Sequence, residues 1–353
     1  MKKIVLTGGG TAGHIYPALA LVPYLEKEYE IHFIGSNGME KEIIAKEKGI
    51  IFHQIPTVKL ERKLTFKNLL IPFKLFSSIK KARKILSEIK PDIVFSKGGF
   101  VALPVVIGAK KNKTPVLSHE SDLTMGLANK IILHYCDKMA TAFEKTSQVC
   151  DKCVYTGQPI RQSLLAGKKQ NLSFYPHLNK SLPNLLIVGG SSGAGFLNKI
   201  VKENLDYLTK KFNVIHITGK GKTEKLSSKN YFQFDYAHNM GDFLDLADFV
   251  ISRAGSGAIN EFLTLNKPML LIPLSKACSR GDQIENAKLF CQLGYSLILE
   301  EEVYSQEKLT QKLEELVKND KIFKKNMQKS AKNNANEEII KLIKQLEKKT
   351  SLK

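Results

Sequence analysis

The sequence predicts an α/β protein of two Rossmann-like domains facing a cleft, and three observations lead there. Short apolar runs alternate with stretches of helical period, as in a parallel doubly wound sheet. The alternation lapses in a polar stretch at 168–183 and then restarts with a second glycine-rich strand-to-helix turn. The length, 353 residues, exceeds one ordinary core and suits two domains of about 150 to 180 residues each.

The first run, at 3–7, ends in LTGGGTAGH, and PALALVPYLEKE reads as the helix that follows. Further runs are EIHFIGS (30–36), IIFHQIP (50–56), DIVFSKG (92–98), PVLSHE (115–120), KMATAF (138–143) and KCVYTG (152–157), with MEKEIIAKEKG as an intervening helix. Such short, nearly continuous apolar runs are the pattern of strands buried on both faces. The second series is NLLIVGG from 184, NVIHITG (213–219), YFQFDY (231–236), DFVIS (248–252) and PMLLIPL (268–274). The junction is placed at Arg161, giving domains 1–161 and 162–335, and an amphipathic helix at about 336–353 can pack back on the first.

Hydrophobic content of 43% and charged content of 25% exclude a disordered or membrane-embedded chain. No run has the length of a spanning helix, and MKKIVL is too short an apolar start for a signal peptide, so a cytoplasmic protein is expected. The odd set Cys136, Cys150, Cys153, Cys278 and Cys291 suits a reducing compartment. Cys150-x-x-Cys153 lacks the second pair or histidine cluster that completes a zinc site, so no metal is expected. The net charge of +20 suits a polyanionic partner: nucleic acid, an anionic membrane face or a phosphorylated substrate. No nucleic-acid-binding motif or stacking platform accompanies it, so nucleic acid is not an expected partner.

Ligands of open α/β sheets bind outside the carboxyl ends of the strands, where glycine lets backbone approach phosphate and a helix N-terminus favours the anion. Gly8 to Gly13 fits G-x-G-x-x-G, but the second strand ends IHFIGSNG without the acid that accepts from a ribose. No nicotinamide, flavin or other cofactor is therefore expected. Two more glycine turns follow strands at Ser96–Phe100 and Arg253–Gly257. After the latter, AINEFLTL begins at once, so its first amides suit a diphosphate and Glu261, about a turn in, suits a ribose. Residues and spacing alone thus reach a nucleotide-diphosphate site in the second domain.

The segments GGGTAGHIYPALAL, SKGGFVALP, HESDLTMGLANK, GQPIR, GGSSGA, SRAGSGAINEFLTLNKPMLLIPL and DQIENA span nearly all of residues 1–300. In this order and spacing they resemble the MurG family of N-acetylglucosaminyltransferases. The resemblance implies the glycosyltransferase-B architecture and an inverting transfer of N-acetylglucosamine from UDP-N-acetylglucosamine. The acceptor it implies is the C4 hydroxyl of undecaprenyl-pyrophosphoryl-muramoyl-pentapeptide, at the cytoplasmic face of the cell membrane, with cell-wall synthesis proteins as further partners. The donor is then expected at the Ala237 backbone (uracil), Glu261 (ribose), Ser191 and the amides of Ser256, Gly257, Ala258 and Ile259 (phosphates), and Gln283 and Asn286 (sugar). Arg161 is expected to add charge near the diphosphate, and Thr11, Ala12 and Gly13 to reach the donor from the cleft. Gly9, Gly10, Gly98 and Gly99 are expected to receive the acceptor's pyrophosphate. His14 is the candidate base, since histidine ordinarily titrates near about 6.5; the alternative is that it only orients the glycine loop. Two departures stand out: Ala12 replaces a more usual glycine, and Asp122 replaces a neutral amide.

A lipid-linked acceptor requires a membrane-facing surface. Residues 64–86 join Leu, Ile and Phe to six basic residues and no acid. Leu69, Leu70, Ile71, Phe73, Leu75 and Phe76 are expected to enter the interface, while Lys74, Lys80, Lys81 and Arg83 meet anionic headgroups at about 1 kcal/mol each. The competing reading buries the same apolar residues in the core. Two other functions are weighed: a related UDP-sugar transferase acting on diacylglycerol or another lipid acceptor, and a non-catalytic membrane-recruitment module. The latter predicts no donor domain, whereas 184–290 reads as one.

Overall fold

The computed structural model describes residues 1–57, 71–190, 193–279, 281–330 and 334–351. It divides into two units, Met1–Arg161 with Asn334–Lys353, and Gln162–Asn333. In the first unit the apolar runs form β1 (Lys2–Thr7), β2 (Tyr29–Gly35), β3 (Ile50–Gln54), β4 (Ile93–Ser96), β5 (Val116–Glu120), β6 (Lys138–Thr141) and β7 (Cys153–Tyr155). They pair in parallel throughout, in the order β3-β2-β1-β4-β5-β6-β7. The strands are apolar on both sides because both faces are covered. Ile4, Leu6, Phe33 and Phe95 pack under Ile15, Leu21 and Leu25, whereas Val5, Ile34, Val94 and Met139 face the other way against Val105, Val106 and Ile132.

The second unit repeats the plan with β8 (Asn184–Val188), β9 (Asn213–Ile217), β10 (Tyr231–Phe234), β11 (Phe249–Ser252), β12 (Met269–Leu271) and β13 (Ser296–Ile298). All its pairings are parallel, in the order β10-β9-β8-β11-β12-β13. The sequence reading passes over β13, a three-residue edge strand that follows a helix with no glycine-rich turn behind it.

Each sheet reverses its strand order beside its first strand, between β1 and β4 and between β8 and β11. Connections leave such a switch point on opposite faces and open a crevice at the carboxyl ends. All four glycine turns singled out in the sequence leave these four strands.

The helix Ala335–Ser351 belongs to the first unit and seats Ile339, Ile343 and Leu346 in its core, each contributing about 1.5–3 kcal/mol. Its start is fixed by two reciprocal bonds, Ile160 N–H to Asn336 Oδ1 at 3.1 Å and Asn336 Nδ2 to the Ile160 carbonyl at 2.8 Å. Lys2 pairs with Glu347 at 2.8 Å near its other end.

The helix Ile71–Ile89 separates the apolar residues at 64–86 into two sets. Leu75, Ile79, Ala82, Leu86 and Ile89 recur at helical spacing and pack inward, so Leu75 leaves the interfacial set. Phe73 and Phe76 turn outward, 76% and 68% exposed, beside exposed Lys74, Lys80, Lys81 and Arg83. Arg83 also reaches Asn112 Oδ1 at 3.1 Å, joining this helix to the end of Ala102–Lys111. Leu69 and Leu70 lie outside the described residues, as does the side chain of Ile71. Among the described residues no helix is long and apolar enough to cross a membrane.

Candidate active site

In the first unit the loop leaving β1 is held by close approach. A Cβ on Gly8 would lie 2.6 Å from the His14 carbonyl oxygen, and one on Gly9 would lie 2.8 Å from the Glu40 carboxylate. Gly10 takes φ +84, after which Thr11 is extended at φ −148 and the helix Ala12–Leu19 begins, with Gly13 as its second residue. The left-handed step therefore falls on Gly10, and Ala12, as a helical residue, needs no glycine.

An acid does arrive after β2, although the strand does not end in one. Glu40 is fully buried and accepts from the Ser36 N–H at 2.8 Å, the Ser36 hydroxyl, and the Gly10 N–H at 3.4 Å. It is an internal clamp on the opening loop, which differs from the exposed ribose acceptor of a dinucleotide site.

His14 is half-buried, with Nδ1 3.1 Å from the Gly9 carbonyl oxygen and 3.2 Å from Thr11 Oγ1. A carbonyl only accepts, so the Gly9 contact places the proton on Nδ1 and the lone pair on Nε2. The same ring meets the loop after β4: a Cβ on Gly99 would lie 3.4 Å from His14 Nδ1. His14 thus lies against Gly9, Thr11 and Gly99.

Gly98 has φ +79, and an added Cβ would come within 2.2 Å of Asn129 Oδ1, so glycine is required twice over. Behind this turn lies a buried polar cluster that the sequence reading missed. Lys97 Nζ donates to His119 Nδ1 at 2.6 Å and to Ser121 Oγ at 2.6 Å, and His119 Nε2 donates to the Gly157 carbonyl at 3.0 Å. Glu120 accepts from the Asp122 N–H at 2.9 Å, the Gly126 N–H at 3.1 Å and Asn129 Nδ2 at 2.9 Å. Burial, reinforced by the Asp122 charge, pushes the Glu120 carboxyl up against those three donors. Asp122 therefore acts here through its backbone amide and its charge. Gln158, next to Gly157 and 4% exposed, has neither amide atom paired among the described residues, nor has Asn129 Oδ1. Unmet buried polar atoms cost about 1–3 kcal/mol each.

Arg161 stacks its guanidinium 4.1 Å from the centre of the Tyr16 ring, on the helix that the opening loop begins. The contact anchors that helix to the end of the unit.

In the second unit the helix Ser256–Thr264 starts directly after the β11 turn, with Gly255 as N-cap. The Ile259 N–H donates to the Gly255 carbonyl at 3.1 Å and closes the first turn. Of the expected amides, those of Ser256, Gly257 and Ala258 are the ones without an intrahelical acceptor. Glu261 is half-buried and lies about 7.5 Å along the axis from Ser256.

Asn286 is fully buried, and its Nδ2 donates to the Ala254 carbonyl at 3.2 Å, which ties it to the turn. Gln283, one turn earlier and half-buried, accepts from the Leu274 N–H at 3.1 Å, while its Nε2 has no partner among the described residues. Arg253, also missed, braces the same turn: it pairs with Glu301 at 2.6 Å and donates to the Ile272 carbonyl at 3.0 Å. Its signal was a cation set directly before the glycines.

Ala237 is buried after β10, with neither its N–H nor its carbonyl bonded among the described residues. Ser191 lies outside the described residues.

Residues 4–141 match the glycosyltransferase family 28 N-terminal domain, and residues 184–343 match the family's C-terminal domain. The UDP-N-acetylglucosamine--N-acetylmuramyl-(pentapeptide) pyrophosphoryl-undecaprenol N-acetylglucosamine transferase of Clostridium tetani (strain Massachusetts / E88) is 49% identical over 349 residues, covering 97% of each chain. The transferase of the same name from Clostridium botulinum (strain Langeland / NCTC 10281 / Type F) is 48% identical over 355 residues, 99% of this chain and 100% of that one. The crystal structure of Acinetobacter baumannii MurG matches with a TM-score of 0.77 at 25% identity, covering 98% of this chain and 100% of that one. With both domain types in order and near-half identity over full length, the chain belongs to glycosyltransferase family 28, within its MurG group.

Proposed function

We propose that the chain transfers N-acetylglucosamine from UDP-N-acetylglucosamine to the C4 hydroxyl of lipid-linked muramoyl-pentapeptide, with inversion. The observation that carries this reading is the 49% identity over 97% of the chain to a transferase of that name. It selects donor and acceptor from the wider class of nucleotide-sugar sites that the second-unit turn suits.

The acceptor oxygen forms its bond to C1 of the sugar as the bond from C1 to the diphosphate breaks, and UDP leaves with the electron pair. Charge then grows on the β-phosphate. The amides of Ser256, Gly257 and Ala258 are already oriented to stabilise it, aided by the positive end of their helix. Glu261 accepts from the ribose hydroxyls, the Ala237 backbone meets the uracil edge, Gln283 Nε2 donates to the sugar, and Ser191 and Arg161 belong to the phosphate end. In the first unit, Gly9, Gly10, Gly98 and Gly99 receive the acceptor's pyrophosphate, and His14 Nε2 takes the proton of the attacking hydroxyl. A donor panel tests this: UDP-N-acetylglucosamine is expected to outrun UDP-glucose and UDP-galactose, and a preference for UDP-glucose would sink the assignment.

Docking of the helix Ile71–Ile89 on an anionic membrane surface completes the reading, as a peripheral protein of the cytoplasmic face. Its support is the exposure of Phe73 and Phe76 beside basic residues. Each inserted ring contributes about 1.5–3 kcal/mol, and each lysine about 1 kcal/mol. Phe73→Ser with Phe76→Ser, or Lys80→Gln with Lys81→Gln, should each weaken binding to vesicles containing anionic lipid at least about tenfold. Unaltered sedimentation with vesicles would refute the docking surface.

A further inference from the structure

Lys97 stands immediately before the Gly98–Gly99 turn and is only 1% exposed. Its stem runs beneath the opening loop, where a Cβ on Gly8 would lie 3.1 Å from Lys97 Cβ. Its two acceptors, His119 Nδ1 and Ser121 Oγ, are both uncharged, since His119 keeps its proton on Nε2 for the Gly157 carbonyl. No ion pair reaches the amine among the described residues. A neutral amine has two N–H donors and an ammonium three. The two hydrogen bonds therefore satisfy the neutral form, and the third donor of the charged form has no protein acceptor.

The titratable groups acting on the amine are His119 and Glu120 from β5 and Asp122 just beyond it. Burial lowers Lys97 to about 7 against the pull of Glu120 and Asp122. Burial first, and then the Lys97 charge, hold His119 well below the usual imidazole range. Both protonation states of Lys97 are thus within reach near neutrality, and the turn it precedes is built to approach an anion closely.

We propose that Lys97 is a positioning residue whose buried amine takes up a proton when the acceptor's pyrophosphate settles on the Gly98–Gly99 turn, so that pH governs the hold on the acceptor and leaves the donor untouched. The inference rests on the acceptor assignment proposed above. An anion beside the turn stabilises the ammonium across a low-dielectric interior, and by linkage protonation tightens the anion equally. Lys97 acts through the turn and through its field, because its amine is enclosed. The proton comes from solvent and returns to it when the acceptor leaves.

The test uses the full chain at saturating UDP-N-acetylglucosamine with a short-prenyl, water-soluble pyrophosphoryl-muramoyl-pentapeptide, measuring KM and kcat from about pH 6 to 9. The acceptor KM is expected to stay level below about pH 7 and to rise above it, steeply enough to approach tenfold per pH unit. The donor KM stays level throughout. In Lys97→Met the acceptor KM is high and independent of pH. A flat acceptor KM in the unaltered protein overturns the proposal, and so does a folded Lys97→Met that keeps the slope; the first result needs no variant to fold. Gly99→Ala separates this inference from the assignment beneath it, because its methyl would crowd the Gly9 carbonyl at 3.3 Å. If Gly99→Ala leaves the acceptor KM unchanged, the pyrophosphate is not on this turn and both ideas fall. If it raises the acceptor KM while Lys97→Met keeps the slope, only the Lys97 proposal falls.

Discussion

Replacing His14 by alanine is expected to lower kcat by about 10²- to 10⁴-fold, the usual contribution of a positioned general base, with the KM for UDP-N-acetylglucosamine kept. The expectation follows from the tautomer. With Nδ1–H directed to the Gly9 carbonyl at 3.1 Å, the basic lone pair is on Nε2, the nitrogen assigned to the acceptor's hydroxyl. The competing role, in which His14 only orients the glycine loop, makes a different prediction for His14→Asn. Its amide can still donate to Gly9 but cannot take the proton. Turnover should stay low in His14→Asn if the residue is the base, whereas recovery of most of the rate would reduce it to a loop support.

Glu261→Ala should weaken UDP binding by about ten- to a hundredfold, because hydrogen bonds to a charged group are worth about 1.5–3 kcal/mol. Acceptor KM should change little, since Glu261 belongs to the second unit, whereas the acceptor is assigned to the first. Glu261→Gln keeps one acceptor oxygen without the charge and should fall between. Isothermal titration with UDP reads the effect directly, and unchanged affinity in Glu261→Ala would remove the ribose role.

Much of this architecture was legible in the sequence because its rules are local. A parallel strand covered on both faces reads as an unbroken apolar run, and a turn with φ +79 or a backbone packed at 2.6 Å reads as glycine. Those two signals located the turns that leave β1, β4 and β8; after β11, Gly255 has φ −67 and neither it nor Gly257 is closely approached, so that turn was marked by the helix that begins at once behind the strand. β13, another short strand, is absent from the runs read in the sequence.

What stayed hidden is polar pairing across long separations. Lys97 and His119 are 22 positions apart, and nothing in DIVFSKGG says that its lysine is buried. Glu40 looks like one more charge in MEKEIIAKEKG, yet its carboxylate lies under Gly9. The same limit holds in the second unit, where spacing does not reveal that the Ile259 and Asn286 amides donate to the Gly255 and Ala254 carbonyls. Helix Ile71–Ile89 shows the middle case: composition marked it as amphipathic, and only its packing decided that Leu75 turns inward while Phe73 and Phe76 do not.

The most direct test of the whole account is transfer of sugar-labelled N-acetylglucosamine from UDP to a lipid-linked muramoyl-pentapeptide by the full chain. Label should pass to the lipid fraction as a disaccharide on the pentapeptide carrier, with one UDP released for each sugar moved. Label that stays with the nucleotide, or that moves to diacylglycerol instead, would contradict the account.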